Sequence, residues 1–190
     1  ISSGVHLQTG FVGTPYFAEA LSKNGMNELA YGLLLNEDYP SWLFAVKMGA
    51  TTIWERWNSI LPDGKISGTD MNSLNHYAYG SIVEWLYRCV LGIQADSNQP
   101  GYKHFFLAPQ PSAQLGKAEG YYQSVSGRIE SAWEILADGQ LDFAFRVPFG
   151  TIATITLPDL TLEEAQKTEW LQSAVALEDS AKVTVKAGEY

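Results

Sequence analysis

The sequence predicts an α+β multidomain chain, helices first and an antiparallel β-sandwich after them. Three observations carry this expectation. Apolar residues recur at helical spacing as far as Leu91, Gln99-Pro100-Gly101 breaks the pattern, and short apolar or alternating runs separated by turn residues follow. The division is placed at 97/98, with residues 1–97 helical and 98–190 forming the sandwich.

Thr14-Pro15 reads as an N-cap followed by proline at the first helical position, and Tyr16, Phe17, Ala20 and Leu21 carry the helix to a stop at Asn24-Gly25. Asn27 opens a second helix that runs through Leu29, Ala30 and Leu33 to Leu35. Tyr39-Pro40-Ser41 opens a third, with Trp42, Leu43, Ala45 and Val46 before Gly49. The longest helical pattern extends from about Asn75 to Leu91, and Gly92 ends it. Between the third helix and this one lies a loop of about twenty-five residues, a length that marks either function or disorder; its tryptophans argue for order. Six strand-like runs follow: 104–108, 118–125, 127–136, 140–147, 151–157 and 183–185. Ala137-Asp138-Gly139-Gln140 is a hairpin signal between two of them.

An apolar content of 46% suffices for a packed core. Twelve basic against twenty-one acidic side chains leave a formal charge of -9, which argues against nucleic acid as a partner. The single cysteine, Cys89, lies in an apolar helical run and reads as a buried structural thiol. No run approaches the roughly 18 consecutive apolar residues of a membrane span. Residues 1–6 carry no leader signature, and the absence of a starting methionine leads to the expectation of a longer parent chain.

Glu55 is the leading catalytic candidate. It stands between Trp54 and Trp57 with Arg56 beside it, and a carboxylate walled by indoles suits a sugar, which offers hydroxyls to acids and C–H faces to rings. The competing reading is a Glu–Arg pair at a loop corner with the indoles as core. His76, at the mouth of the long helix, either bonds a sugar hydroxyl or orients water for the carboxylate; alternatively it is a satisfied helix-start histidine. Trp54, Arg56 and Trp57 either shape the pocket or brace the loop. His6 and His104 lack acidic or cysteine companions at metal-ligand spacing, so no metal site is expected. Neither a phosphate-cradling glycine motif nor a serine elbow is present. Tyr79, Trp85 and Tyr87 read as core, with Tyr77 the exception beside His76. Tyr121, Tyr122, Trp133, Phe143 and Phe145 read mostly as interior filler, a sugar-binding sheet face being the alternative.

Several ordered blocks together carry a resemblance: His6 to Pro15, Leu33-Leu34-Leu35, Tyr39 to Leu43, Gly49 to Trp57, and Met71 to Gly80. Further blocks are Pro100 to Lys103, Pro109-Gln110-Pro111 and Ser126 to Ile129, and the match weakens after about Pro158. The chain resembles the C-terminal part of a bacterial α-L-rhamnosidase of glycoside hydrolase family 78.

The resemblance implies that residues 1–97 are the C-terminal helices of an (α/α)6-barrel catalytic domain and that 98–190 are the family's C-terminal β-sandwich. It implies that Glu55 is the general base of an inverting hydrolysis and that His76 binds the rhamnose. Asn58 stands where many relatives carry Asp, so no acidic role transfers there. The family's general acid lies upstream of this segment. Inversion needs both carboxyl groups, roughly 6.5–9.5 Å apart, so the 190-residue chain alone is expected to be inactive. The implied partners are an L-rhamnose-containing glycoside or polysaccharide and the N-terminal portion of the same enzyme; no cofactor is implied. The alternative is a non-catalytic carbohydrate-binding or scaffold module. Compartment, linkage preference and oligomeric state stay open.

Overall fold

The structure, a computed structural model, describes residues 6–68, 70–177 and 180–190. Residues 1–5, most of the opening segment read for a leader, lie outside that range. The chain divides into two compact units, 1–85 and 86–190.

The first unit holds α1 (Thr14–Lys23), α2 (Asn27–Leu34), α3 (Trp42–Lys47), a 3₁₀ turn (Ala78–Ser81) and α4 (Ile82–Trp85). Thr14 is the first helical residue of α1 rather than its cap: Gly13 holds the cap position, and the Thr14 hydroxyl donates to the Gly10 carbonyl at 2.9 Å. Ser41 does cap α3, its Oγ accepting from the Phe44 N–H at 2.9 Å.

The buried face of α1 also differs from the expected apolar one. Thr14, Ala18 and Ser22 point inward, whereas Tyr16 is exposed. Small side chains at i, i+4 and i+8 admit bulky neighbours. Trp85 of α4 donates its indole N–H to Ser22 Oγ at 2.8 Å, and the same hydroxyl donates to Asn27 Oδ1 at 2.8 Å. Tyr31 of α2, fully buried, meets Trp85 edge to face at 5.1 Å.

The helix expected from Asn75 begins at Ala78. Residues before it take an irregular path because their backbone bonds go to the 52–55 segment, which competes with a helical turn. Its remaining residues form α4 and then, in the second unit, a π turn (Leu86–Val90) with Leu91 N–H donating to the Leu86 carbonyl.

That second unit is a two-sheet sandwich. Its strands are β1 (Ile93–Ala95), β2 (His104–Leu107), β3 (Lys117–Ser124), β4 (Gly127–Ile135), β5 (Leu141–Val147), β6 (Ile152–Pro158), β7 (Val175–Leu177), β8 (Ser180–Val185) and β9 (Gly188–Glu189). One sheet has the order β1-β2-β6-β8-β7 and the other β3-β4-β5-β9. Not every pair is antiparallel: β2 and β6 run parallel, His104 opposite Ile152. The β3-β4-β5 meander occupies the other sheet, and the chain then re-enters the first beside β2 in the same direction. Phe105, Leu107, Ile129, Ala153 and Ile155 are fully buried in the core between the sheets.

The π turn ends against this sandwich. Gly92 has φ +73°, and a Cβ there would lie 2.1 Å from the Pro109 nitrogen, so both conformation and space demand glycine. The carbonyls of Cys89, Val90 and Leu91 find donors in the sandwich: Gln110 N–H for Cys89 (2.9 Å), the Trp133 indole for Val90 (2.7 Å) and the Ser131 hydroxyl for Leu91 (2.6 Å). Cys89 itself is buried. At 137–140 the expected hairpin turn is present, with Gly139 at φ +85° and Asp138 Oδ1 accepting from the Gln140 N–H.

Candidate active-site loop

The loop after α3 doubles back on itself. Pro62-Asp63-Gly64 closes a turn in which the Gly64 N–H donates to the Leu61 carbonyl at 2.8 Å, and Ile60 bridges Ile66. Below the turn, the chain returns along the outgoing strand of the loop. Glu55 N–H donates to the Ser73 carbonyl at 2.9 Å, and His76 N–H to the Ile53 carbonyl at 2.8 Å. The Thr52 hydroxyl donates to the Leu74 carbonyl at 2.5 Å. These bonds bring the segment carrying Glu55 beside the segment carrying His76.

Glu55 is half-buried, and its Oε2 accepts the Ser73 N–H at 2.6 Å. The donor on this carboxylate is therefore a backbone amide and not Arg56. Arg56 instead donates from its guanidinium to the Asp70 carbonyl at 2.8 Å, and its N–H donates to Ser59 Oγ. Asn58 donates to the Ser67 hydroxyl at 3.2 Å, another bond within the loop.

Both tryptophans pack within the protein. Trp54 is buried. Trp57 donates its indole N–H to the Thr9 carbonyl at 2.8 Å, lies flat on Tyr79 at 3.9 Å and 16°, and meets Trp42 at 5.0 Å and 87°. Trp42 in turn donates to the Tyr79 carbonyl. A cavity of about 260 Å³ opens behind this wall, lined by Trp42, Val46, Ile53, Trp54, Arg56 and Trp57 among others. Glu55 and His76 are not among its lining residues.

His76 is half-buried, and its Nδ1 accepts the Ala78 N–H at 3.2 Å. Its ring stacks on Phe11 at 4.9 Å and on Tyr77 at 5.1 Å, both within 13° of parallel. Phe11 belongs to the motif from His6 to Pro15 but carries no local sign of contact with position 76. Only the fold supplies it.

The remaining histidines bond to polar neighbours. His6 Nδ1 lies 3.3 Å from Asn36 Nδ2. His104 does have an acidic companion, Asp96, at 2.7 Å, while its other nitrogen lies 2.9 Å from the Thr154 hydroxyl. The Asn98 N–H, and then the His104 ring, hold the Asp96 carboxyl below its ordinary range. Among the described residues no three His, Cys, Asp or Glu side chains gather as metal ligands. Of the sheet aromatics, Trp133 and Phe145 are buried, and Tyr121 carries the Arg128 guanidinium 3.8 Å above its ring.

Helical hairpins leading into a β-sheet domain define the class of six-hairpin glycosidases with a C-terminal domain. Residues 1–90 match the bacterial alpha-L-rhamnosidase 6 hairpin glycosidase domain, and 92–171 match the bacterial alpha-L-rhamnosidase C-terminal domain. The chain belongs to the bacterial α-L-rhamnosidase family. An alpha-L-rhamnosidase of Alteromonas sp. is 43% identical over 157 residues, covering 83% of this chain and 17% of that protein. One from Formosa agariphila is 46% identical over 153 residues, covering 80% and 16%. The crystal structure of Streptomyces avermitilis alpha-L-rhamnosidase complexed with L-rhamnose superposes with a TM-score of 0.84 at 33% identity, over 97% of this chain and 18% of that one. The chain thus spans about a sixth of the relatives' length.

Proposed function

We propose that this chain is the base-bearing part of an inverting exo-α-L-rhamnosidase, which releases terminal L-rhamnose from a glycoside or polysaccharide. Residues 1–97 supply the last helices of an (α/α)6-barrel catalytic domain and 98–190 its C-terminal β-sandwich. Glu55 is the general base. With Oε2 held by the Ser73 amide, Oε1 takes the proton of the attacking water as that water displaces the leaving group at the anomeric carbon. His76 contacts the rhamnosyl hydroxyls. Trp54, Arg56 and Trp57, second-rank candidates for sugar contact, act through the loop they brace.

The observation that carries this reading is the backbone pairing that sets Glu55 beside Ser73 and Ile53 beside His76. The general acid comes from outside residues 1–190, supplied by the N-terminal portion of the enzyme. Exposed apolar side chains in the first unit, Tyr16, Val46 and Met48 among them, suit a surface that this portion covers. The rival, a sugar-binding sandwich, calls for several open rings on one sheet face. Tyr121 and Tyr122 are sequence neighbours in β3 and leave on opposite sides, so they do not form such a platform.

The test is to follow hydrolysis of an aryl α-L-rhamnoside by proton NMR with the full-length enzyme. Initial release of β-L-rhamnose is expected; initial release of the α anomer, or no rhamnose at all, contradicts the proposal. Residues 1–190 alone should release none.

A further inference from the structure

Four contacts fix the His76 ring, and three of them involve groups that the reading above leaves without a role. The imidazole is parallel to Phe11 and to Tyr77 within 13° in each case, at 4.9 and 5.1 Å. Its Nδ1 accepts the Ala78 N–H at 3.2 Å, and its own backbone N–H is tied to the Ile53 carbonyl. Phe11 is itself positioned: Tyr79 meets it edge-on at 5.4 Å and 60°, and Tyr79 lies flat on Trp57 of the catalytic loop.

A backbone N–H directed at Nδ1 requires a lone pair there, so the neutral ring carries its proton on Nε2. Turning the ring out of its plane would lose this bond and both stacks together, and a half-turn within the plane would lose the bond. We propose that Phe11 is a positioning residue which, with Tyr77 and the Ala78 amide, locks His76 as an Nε2–H donor aimed at a hydroxyl oxygen of the bound rhamnosyl unit. This rests on the reading of His76 as a sugar contact. Phe11 acts only through the imidazole: it fixes the plane of the ring, while the amide fixes which nitrogen donates. A donor locked in this way donates to an oxygen lone pair and gives no help to a deoxy position, which makes the clamp a determinant of specificity for a hydroxyl-bearing carbon.

The test uses the full-length enzyme, an aryl α-L-rhamnoside, and the variants Phe11→Ala, Phe11→Leu and Phe11→Tyr beside His76→Ala. Phe11→Ala and Phe11→Leu should raise KM by about tenfold while kcat changes by less than about threefold, and Phe11→Tyr, which keeps the ring, should restore KM to within about twofold. Long-range ¹H–¹⁵N spectra should show His76 protonated at Nε2 in the wild type and averaged between tautomers in Phe11→Leu, where the ring swings out of plane and off the Ala78 amide. A folded Phe11→Leu enzyme with wild-type KM, or a wild-type spectrum with the proton on Nδ1, overturns the inference. If His76→Ala leaves KM unchanged, the reading of His76 falls first; if it raises KM and Phe11→Leu does not, the clamp alone falls.

Discussion

Trp57 separates a bracing role from a substrate-contacting one, and substitution at this position distinguishes them quantitatively. In Trp57→Phe, a ring remains to stack on Tyr79, but the 2.8 Å bond from the indole N–H to the Thr9 carbonyl is lost. A half-buried carbonyl left with only the Thr14 hydroxyl at 3.4 Å destabilises by about 1 kcal/mol. In Trp57→Ala, the stack at 3.9 Å and the edge contact with Trp42 at 5.0 Å disappear as well. Each aromatic pair contributes about 1 kcal/mol beyond area burial, so the alanine variant should lose about 3–4 kcal/mol, toward the range for buried tryptophan. Urea unfolding of the full-length enzyme, monitored at the catalytic domain, measures both values. If Trp57 braces the loop, Trp57→Phe should retain kcat/KM within about threefold of wild type. A Trp57→Phe enzyme of undiminished stability whose kcat/KM falls by about a hundredfold would refute the bracing account and make the indole a sugar contact.

Two further predictions concern the sandwich. Gly92→Ala should destabilise the second unit by about 3 kcal/mol, because a left-handed backbone and overpacking act together; a melting temperature equal to wild type would show that the π turn can shift away from Pro109. For Asp96, the folded-state carboxyl lies below its ordinary value, so its contribution to stability is present above the usual carboxylate range and is lost as the pH falls through the depressed value. Asp96→Asn should therefore lower the melting temperature at neutral pH, with the gap to wild type closing below about pH 4; a gap independent of pH would contradict the role assigned to the carboxylate.

Much of the fold was legible in local chemistry. Asn24-Gly25, Ser41 and Gly49 set helix ends because caps and left-handed stops are properties of single residues. The Asp138-Gly139 hairpin was legible for the same reason. What local patterns did not supply were decisions made by distant partners. The true buried face of α1 is chosen by Trp85, some sixty residues later, reaching Ser22. The delayed start of the helix at Ala78 reflects bonds from residues 73–76 to the 52–55 segment. Short strands such as β1 and β9 carry too few residues for an alternating pattern, and the parallel register of β2 on β6 depends on a meander assigned to the other sheet. At the candidate site, Glu55 and His76 stood out by residue type and by the blocks around them. Ser73 and Phe11 did not, since one contributes backbone groups to Glu55 and the other a ring that touches position 76 through the fold.

The central claim is that the carboxylate at position 55 removes the proton from the attacking water. Its most direct measurement is kcat of Glu55→Gln in the full-length enzyme on an aryl α-L-rhamnoside, with circular dichroism and melting temperature as folding controls. The account predicts a fall of about 10²–10⁴ with the fold retained, since the amide keeps the volume but loses the basicity. Turnover within a few-fold of wild type, from a properly folded variant, would contradict it.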